Sequence, residues 1–196
     1  MNRPRWLRLH QVGVLFTIFM ILLAEGWSQA ATERERESAA LKDFSTRVNE
    51  YVKLHKQQDA SLPALKQTNN SAEIQVHQRA LAEKIREARS SGSHEIFSPE
   101  ISALFRHRIE RHFKSSPTAP QAKATIRLGE PVKVHLKVND SYPADLPLTT
   151  MPPTLLQQLP PLPQQLEYRI VGRDLVLLDL KANLIVDVIR QALPEI

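Results

Sequence analysis

The chain has 196 residues, 26 Lys and Arg against 21 Asp and Glu, and no cysteine. The missing cysteines exclude a disulfide framework, thiol chemistry and a lipid attachment point, so stability must come from packing. The formal net charge of +5 is too small and too dispersed for a dedicated nucleic-acid binder.

The N-terminus carries the three parts of a secretory signal. Arg3, Arg5 and Arg8 precede an apolar run from Val12 to Ala24, and Ser28 and Ala30 occupy the positions a signal peptidase reads. The run is 13 residues, short of the roughly 20 a spanning helix needs. Residues 1–30 are therefore expected to be a signal peptide cleaved after Ala30, with no membrane span left afterwards. Removing them takes the basic count from 26 to 23 and the acidic count from 21 to 20, a mature charge of about +3. Both tryptophans, Trp6 and Trp27, leave with the signal. The remaining glycines, Gly92, Gly129 and Gly172, lie far apart, which excludes a glycine-rich phosphate cradle.

Residues 31–114 are expected to form a helical region. TERERES is charged on all sides and reads as a fraying, solvated entry. Leu41, Phe44, Val48, Tyr51, Val52 and His55 then recur at three- and four-residue steps, one stripe of a helix. Asn70 followed by Glu73 has the spacing of a capping box and opens a second helix with the face Ile74, Leu81, Ile85 and Ala88. Ser98-Pro99-Glu100 opens a third, because serine caps free amides, proline suits the first helical position and glutamate suits the positive end. Its buried side is Ile101, Leu104, Phe105, Ile109 and Phe113.

KSSPTAP reads as a linker over 115–123 that ends the helical region, and 124–196 as a small β module. VKVHLKV (132–138) alternates strictly and predicts a half-exposed strand. Seven prolines between Pro143 and Pro163 permit little regular structure except a short helix entered at Pro152-Pro153, so the remainder predicts an extended strap. Tyr168–Val171 and Leu175–Leu178 flank Gly172-Arg173, a hairpin with glycine at the first central turn position. Leu184–Ile189 returns as a third strand. Apolar residues on both faces require covers on both sides, for which the strap and a helix are available. The expected class is α+β, a helical hairpin plus a third helix followed by a small antiparallel sheet with a proline-rich strap.

FSTRVNEYVKLHK, AEKIREAR, IFSPEISALFRHRI and the run from YPADLPLTT to NLIVDVI together resemble an uncharacterised family of secreted bacterial proteins. Residues 152–189, with LPPLP, Y-x-I-V-G-R-D-L-V-L-L-D and N-L-I-V-D-V-I, are similar to small periplasmic modules of the nickel and cobalt homeostasis (RcnB-type) class. The second resemblance implies a shared small β fold. It carries no metal ligands with it, because residues 137–196 contain no histidine and Met151 is the only methionine after the signal.

Among possible reactive groups, Asp174 and Asp179 flank turns and Asp187 sits mid-strand, where Arg169 or Arg173 is available to pair with it. FRHRIERHFK is basic, but its charges do not form one stripe and Glu110 faces Lys114, so it reads as a solvated helix face. Folding the first two helices into an antiparallel hairpin sets Phe44 against Ala88, Val48 against Ile85 and Val52 against Leu81. The same register brings His55 opposite His77 and Asp59 opposite Glu73. Two imidazoles and two carboxylates suit zinc or another divalent metal. A hairpin end that turns polar as it nears solvent is the simpler reading.

With no nucleophile and base arrangement, thiol or phosphate loop, the expectation is an exported, non-enzymatic protein of the periplasm or secreted fraction. It is expected to need no cofactor and to act on an envelope or secreted protein partner by binding or structural support. The alternative is a metal-handling accessory using His55, His77, Asp59 and Glu73.

Overall fold

A computed structural model describes residues 6–90, 95–128, 136–143 and 151–195, and of residues 6–30 only the helical backbone. The fold is α+β: among the described residues five helices, α1 (Trp6–Ala60), α2 (Ser71–Arg89), α3 (Pro99–Ser115), α4 (Ala119–Leu128) and α5 (Pro153–Leu156), precede an antiparallel sheet of β1 (Leu166–Val171), β2 (Asp174–Asp179) and β3 (Leu184–Ile189) in the order β1-β2-β3. Two compact units divide at residue 40, and the sheet, α2 to α5 and the candidate site belong to Leu41–Ile196. Among the described residues no helix is long and apolar enough to cross a membrane.

The caps stand where the sequence places them. Asn70 accepts from the Ala72 amide at 3.1 Å and donates from Nδ2 to Glu73 Oε1 at 2.9 Å. Ser98 accepts from the Ile101 amide ahead of Pro99. Two expectations are corrected. TERERES does not fray: it lies inside α1, where Glu and Arg, both good helix formers, propagate the helix while mostly exposed. The 115–123 segment does not end the helical region, because α4 begins at Ala119. Pro120 falls in its first turn, where a missing amide hydrogen is harmless, and Ala119, Ala122 and Ile126 bury one stripe.

The hairpin closes with Val171 opposite Asp174, and Gly172 takes φ +59° at the first turn position, a conformation glycine adopts without steric penalty. Asn183, at φ 49°, turns the chain into β3. Both faces of the sheet are covered. Tyr168, Leu177, Asp179 and Asp187 point to the helices, with Tyr168 edge-on to Phe105 and Phe105 packed on Phe44 and Phe97. Val176, Leu178 and Ile185 pack on the opposite side against Leu136 and Tyr142.

Among the described residues, the 136–142 segment covers that second side. It follows the outer edge of β3, with Asn139 N donating to Ile185 O at 2.8 Å, Ile185 N to Asp140 O at 2.9 Å and Tyr142 N to Asn183 O at 3.0 Å. Arg86 of α2 clasps it through Asn139 O and Ser141 Oγ. Leu136 to Val138 are not a strand, and residues 132–135 of the expected strand lie outside the described residues, as do 144–150 of the strap. The remaining strap lies beside β1, where Tyr168 donates its hydroxyl to Pro160 O at 3.2 Å.

Register along β3 is not uniform. Leu177 faces Asp187 but Leu178 faces Ile185, so Val186 is a bulge residue. Leu184 and Asp187 are three apart and would point to opposite faces of a regular strand; the extra residue turns both toward the helices. One bulge therefore aims Asp187 inward.

Candidate functional site: a buried polar spine between helix and sheet

Tyr51 and His55 stand one turn apart on α1 and converge on one carboxylate. Tyr51 donates its hydroxyl to Asp179 Oδ2 at 2.8 Å, and His55 Nδ1 lies 2.5 Å from the same oxygen. The other oxygen, Oδ1, accepts from the Ala182 amide at 2.9 Å, closing the turn after β2. Asp179 is 0 % exposed and His55 3 %. An ionised carboxylate only accepts, so the contact with ionised Asp179 requires the Nδ1–H tautomer of His55. Burial, then the charge of Asp179 and its hydrogen bond, hold the Tyr51 phenol well above its ordinary range despite the opposing influence of Arg89, so it stays a donor.

The spine continues through α2. The Arg89 guanidinium lies 5.5 Å from the centre of the Tyr51 ring and donates from Nη2 to Val186 O, the carbonyl of the bulge, at 2.9 Å. Burial pulls its pKa below the usual arginine value, while Tyr51 and Asp187 oppose the shift. Asp187 caps the approach to α3: Oδ2 accepts from the Ile96 and Phe97 amides at 2.7 and 2.8 Å, and Oδ1 from its own strand at Val188 N. Asp187 thus pairs with backbone amides rather than with Arg169 or Arg173. Arg169 bonds Glu167, and Arg173 bonds Leu193 O and Glu195. Asp174 bonds Arg190 and the Gln191 amide.

The hairpin mouth is assembled differently from the expected register. Asp59 meets His77 Nε2 at 3.2 Å, one turn along from Glu73, and takes Lys181 Nζ at 2.6 Å on its other oxygen. Burial favours protonating Asp59, but the hydrogen bonds from Lys181 and His77 and the Lys181 charge outweigh it and hold its pKa below the usual carboxylate value. Glu73 stays at the cap of α2, and His55 turns into the sheet. His55, His77, Asp59 and Glu73 are thus separated into three local pairings. Among the described residues, no group of three or more His, Cys, Asp or Glu side chains is placed to hold a metal.

Sequence reasoning gave Tyr51 only a core role and Asp179 only a turn role. The available signal was a tyrosine and a histidine four apart on an otherwise apolar stripe, together with an aspartate ending an apolar strand. The spine touches solvent through a cleft of about 470 Å³ whose walls include Tyr51, Arg89, Arg47 and Glu50. Chemically, the arrangement orients an imidazole and a phenol on one carboxylate, each of whose oxygens has at least one partner.

His112 on α3 is a second buried histidine, with its ring against Phe113 and Nε2 lacking a hydrogen-bond partner among the described residues. Burial lowers its pKa from the ordinary 6.5. The unfolded chain then binds the proton more tightly, so stability is complete above the unfolded value and is lost as pH falls through the lowered folded one. Thermal melts from about pH 8 to 5 should show this loss, and His112→Leu should remove that part of it; an unchanged profile in His112→Leu would place the acid sensitivity elsewhere.

No family model, curated protein or solved structure matches the chain. Its own geometry is left to carry the functional reading.

Proposed function

We propose that the protein is exported and acts in the cell envelope by binding or structural support, not by catalysis. The observation that supports this most directly is the engagement of Asp179 within the fold: three partners, from α1 and from the turn after β2, occupy both oxygens. A general base or nucleophile needs an oxygen or nitrogen open to substrate. Both oxygens of the carboxylate with the richest surroundings are engaged by the fold itself, which supports a role in fastening α1 to the sheet. Asp187 repeats the pattern, accepting from the Ile96, Phe97 and Val188 backbone amides. The export half of the proposal rests on Arg3, Arg5, Arg8, the apolar run and the Ser28/Ala30 site.

Each half has its own test. N-terminal sequencing of the protein from the envelope fraction should begin at Ala31, and an intact Met1 terminus would overturn cleavage. Tyr51→Phe and His55→Gln should each lower the melting temperature, and in-cell cross-linking to an envelope partner should fall only with the folded fraction. Turnover of a small molecule that disappears in either variant while the melting temperature stays at the parent value would establish a catalytic role instead.

A further inference from the structure

The start of α1 lies within the leader. The helix begins at Trp6 and passes Ala30, the expected cleavage site, without a break. In an α-helix each amide donates to the carbonyl four residues back. The amides of Ala31, Thr32, Glu33 and Arg34 therefore depend on the carbonyls of residues 27–30, and cleavage removes all four acceptors. Packing does not make up the loss. Residues 31–36 are exposed, and among the described side chains Phe44 is the first of α1 to be buried. A helix end without tertiary contacts is marginal in water unless its own sequence caps it.

The residues just past the cut supply such a cap. Thr32-Glu33-Arg34-Glu35 has the threonine-to-glutamate spacing of a capping box. With Thr32 as N-cap, its hydroxyl accepts from the Glu35 amide and the Glu35 carboxylate accepts from the Thr32 amide. That satisfies two of the four donors a new helix start leaves open. Glu33 falls in the same first turn, where negative charge suits the positive end of the helix and offsets the new ammonium group of Ala31. Inside the uncleaved helix these acids have no helix end to act on. TERERES thus serves as helix interior before cleavage and as helix start after it.

We infer that cleavage after Ala30 moves the start of α1 from the leader to Thr32, where Thr32 and Glu35 form a capping box that keeps the helix wound to its new end. The inference rests on the export reading above and adds what processing does to the fold: the mature helix rearranges only its first turn.

The test compares amide exchange over residues 36–40 in two forms of the protein. One is the mature protein from the envelope fraction. The other is the full chain carrying Ala30→Leu, which puts a bulky residue where signal peptidase needs a small one and so keeps the leader. In the mature protein Thr32→Ala and Glu35→Ala should each speed exchange there by about fivefold. Thr32→Ser and Glu35→Gln retain the capping groups and should stay near the parent rate. In the uncleaved chain both alanine variants should exchange as the parent does, because the preceding turn still supplies the acceptors. Thr32 and Glu35 are exposed, so every variant should keep the cooperative melt of the parent. An Ala31 terminus with exchange indifferent to both alanines, or alanines that act equally in the uncleaved chain, would overturn the inference alone. A mature terminus other than Ala31 would overturn it together with the cleavage reading.

Discussion

Replacing Asp179 with alanine is expected to destabilise the protein by about 3–5 kcal/mol, the scale of removing one partner from a buried charged cluster. For a unit of this size that is a fall in melting temperature of roughly 10 °C. The magnitude follows from the number of groups stranded. Tyr51, His55 and the Ala182 amide all meet this one side chain, and each would be left buried without its acceptor. A second substitution shows the mechanism: adding His55→Phe and Tyr51→Phe to Asp179→Leu removes donors and acceptor together and should recover part of the loss. Urea denaturation of the four proteins gives the measurement. A loss below about 1 kcal/mol for Asp179→Ala would mean that water reaches the site and that the spine does not fasten α1 to the sheet.

Leu177→Asp should abolish cooperative folding. Leu177 is wholly buried in the central strand, with Tyr168 on one side of it and Asp187 on the other. A new carboxylate there has no donor and stands directly across the ladder from an existing one whose bonds hold Ile96 and Phe97 in place. Desolvation and like-charge repulsion act together, and the sum of several kcal/mol reaches the whole stability of a typical domain. The matched control is Leu180→Asp, three residues along and 43 % exposed, which should leave a sharp melt. Leu177→Ala, which only opens a cavity, should lie between them at about 2–5 kcal/mol. A cooperative transition in Leu177→Asp would show that the helix-facing side of the sheet admits solvent.

The candidate site and the fold were legible to different extents. β3 lies at Leu184–Ile189, the expected bounds, because a continuous apolar run bounded by Lys181-Ala182-Asn183 admits few other readings. The hairpin was equally plain from Gly172, and α2 and α3 from Asn70 and Ser98. The helical stripe of α2 was read one position early at its end: Arg89, not Ala88, is the buried residue, since an arginine is buried only where a ring and a carbonyl await it. Those partners belong to α1 and β3.

What the sequence by itself determined is what depends on neighbours within a few residues: helix starts, turn chemistry, strand alternation and the need for covers on both sides of the sheet. Tertiary structure decided what fills them. Tyr51 and Asp179 are 128 positions apart, and no periodicity links them. The bulge at Val186 decides where Asp187 points, and it exists only in relation to β2. His55 leaves the expected hairpin-mouth cluster for Asp179 in the sheet, and His77 is left with Asp59, because a buried carboxylate must find partners within the fold and Asp179 lies far along the chain from α1.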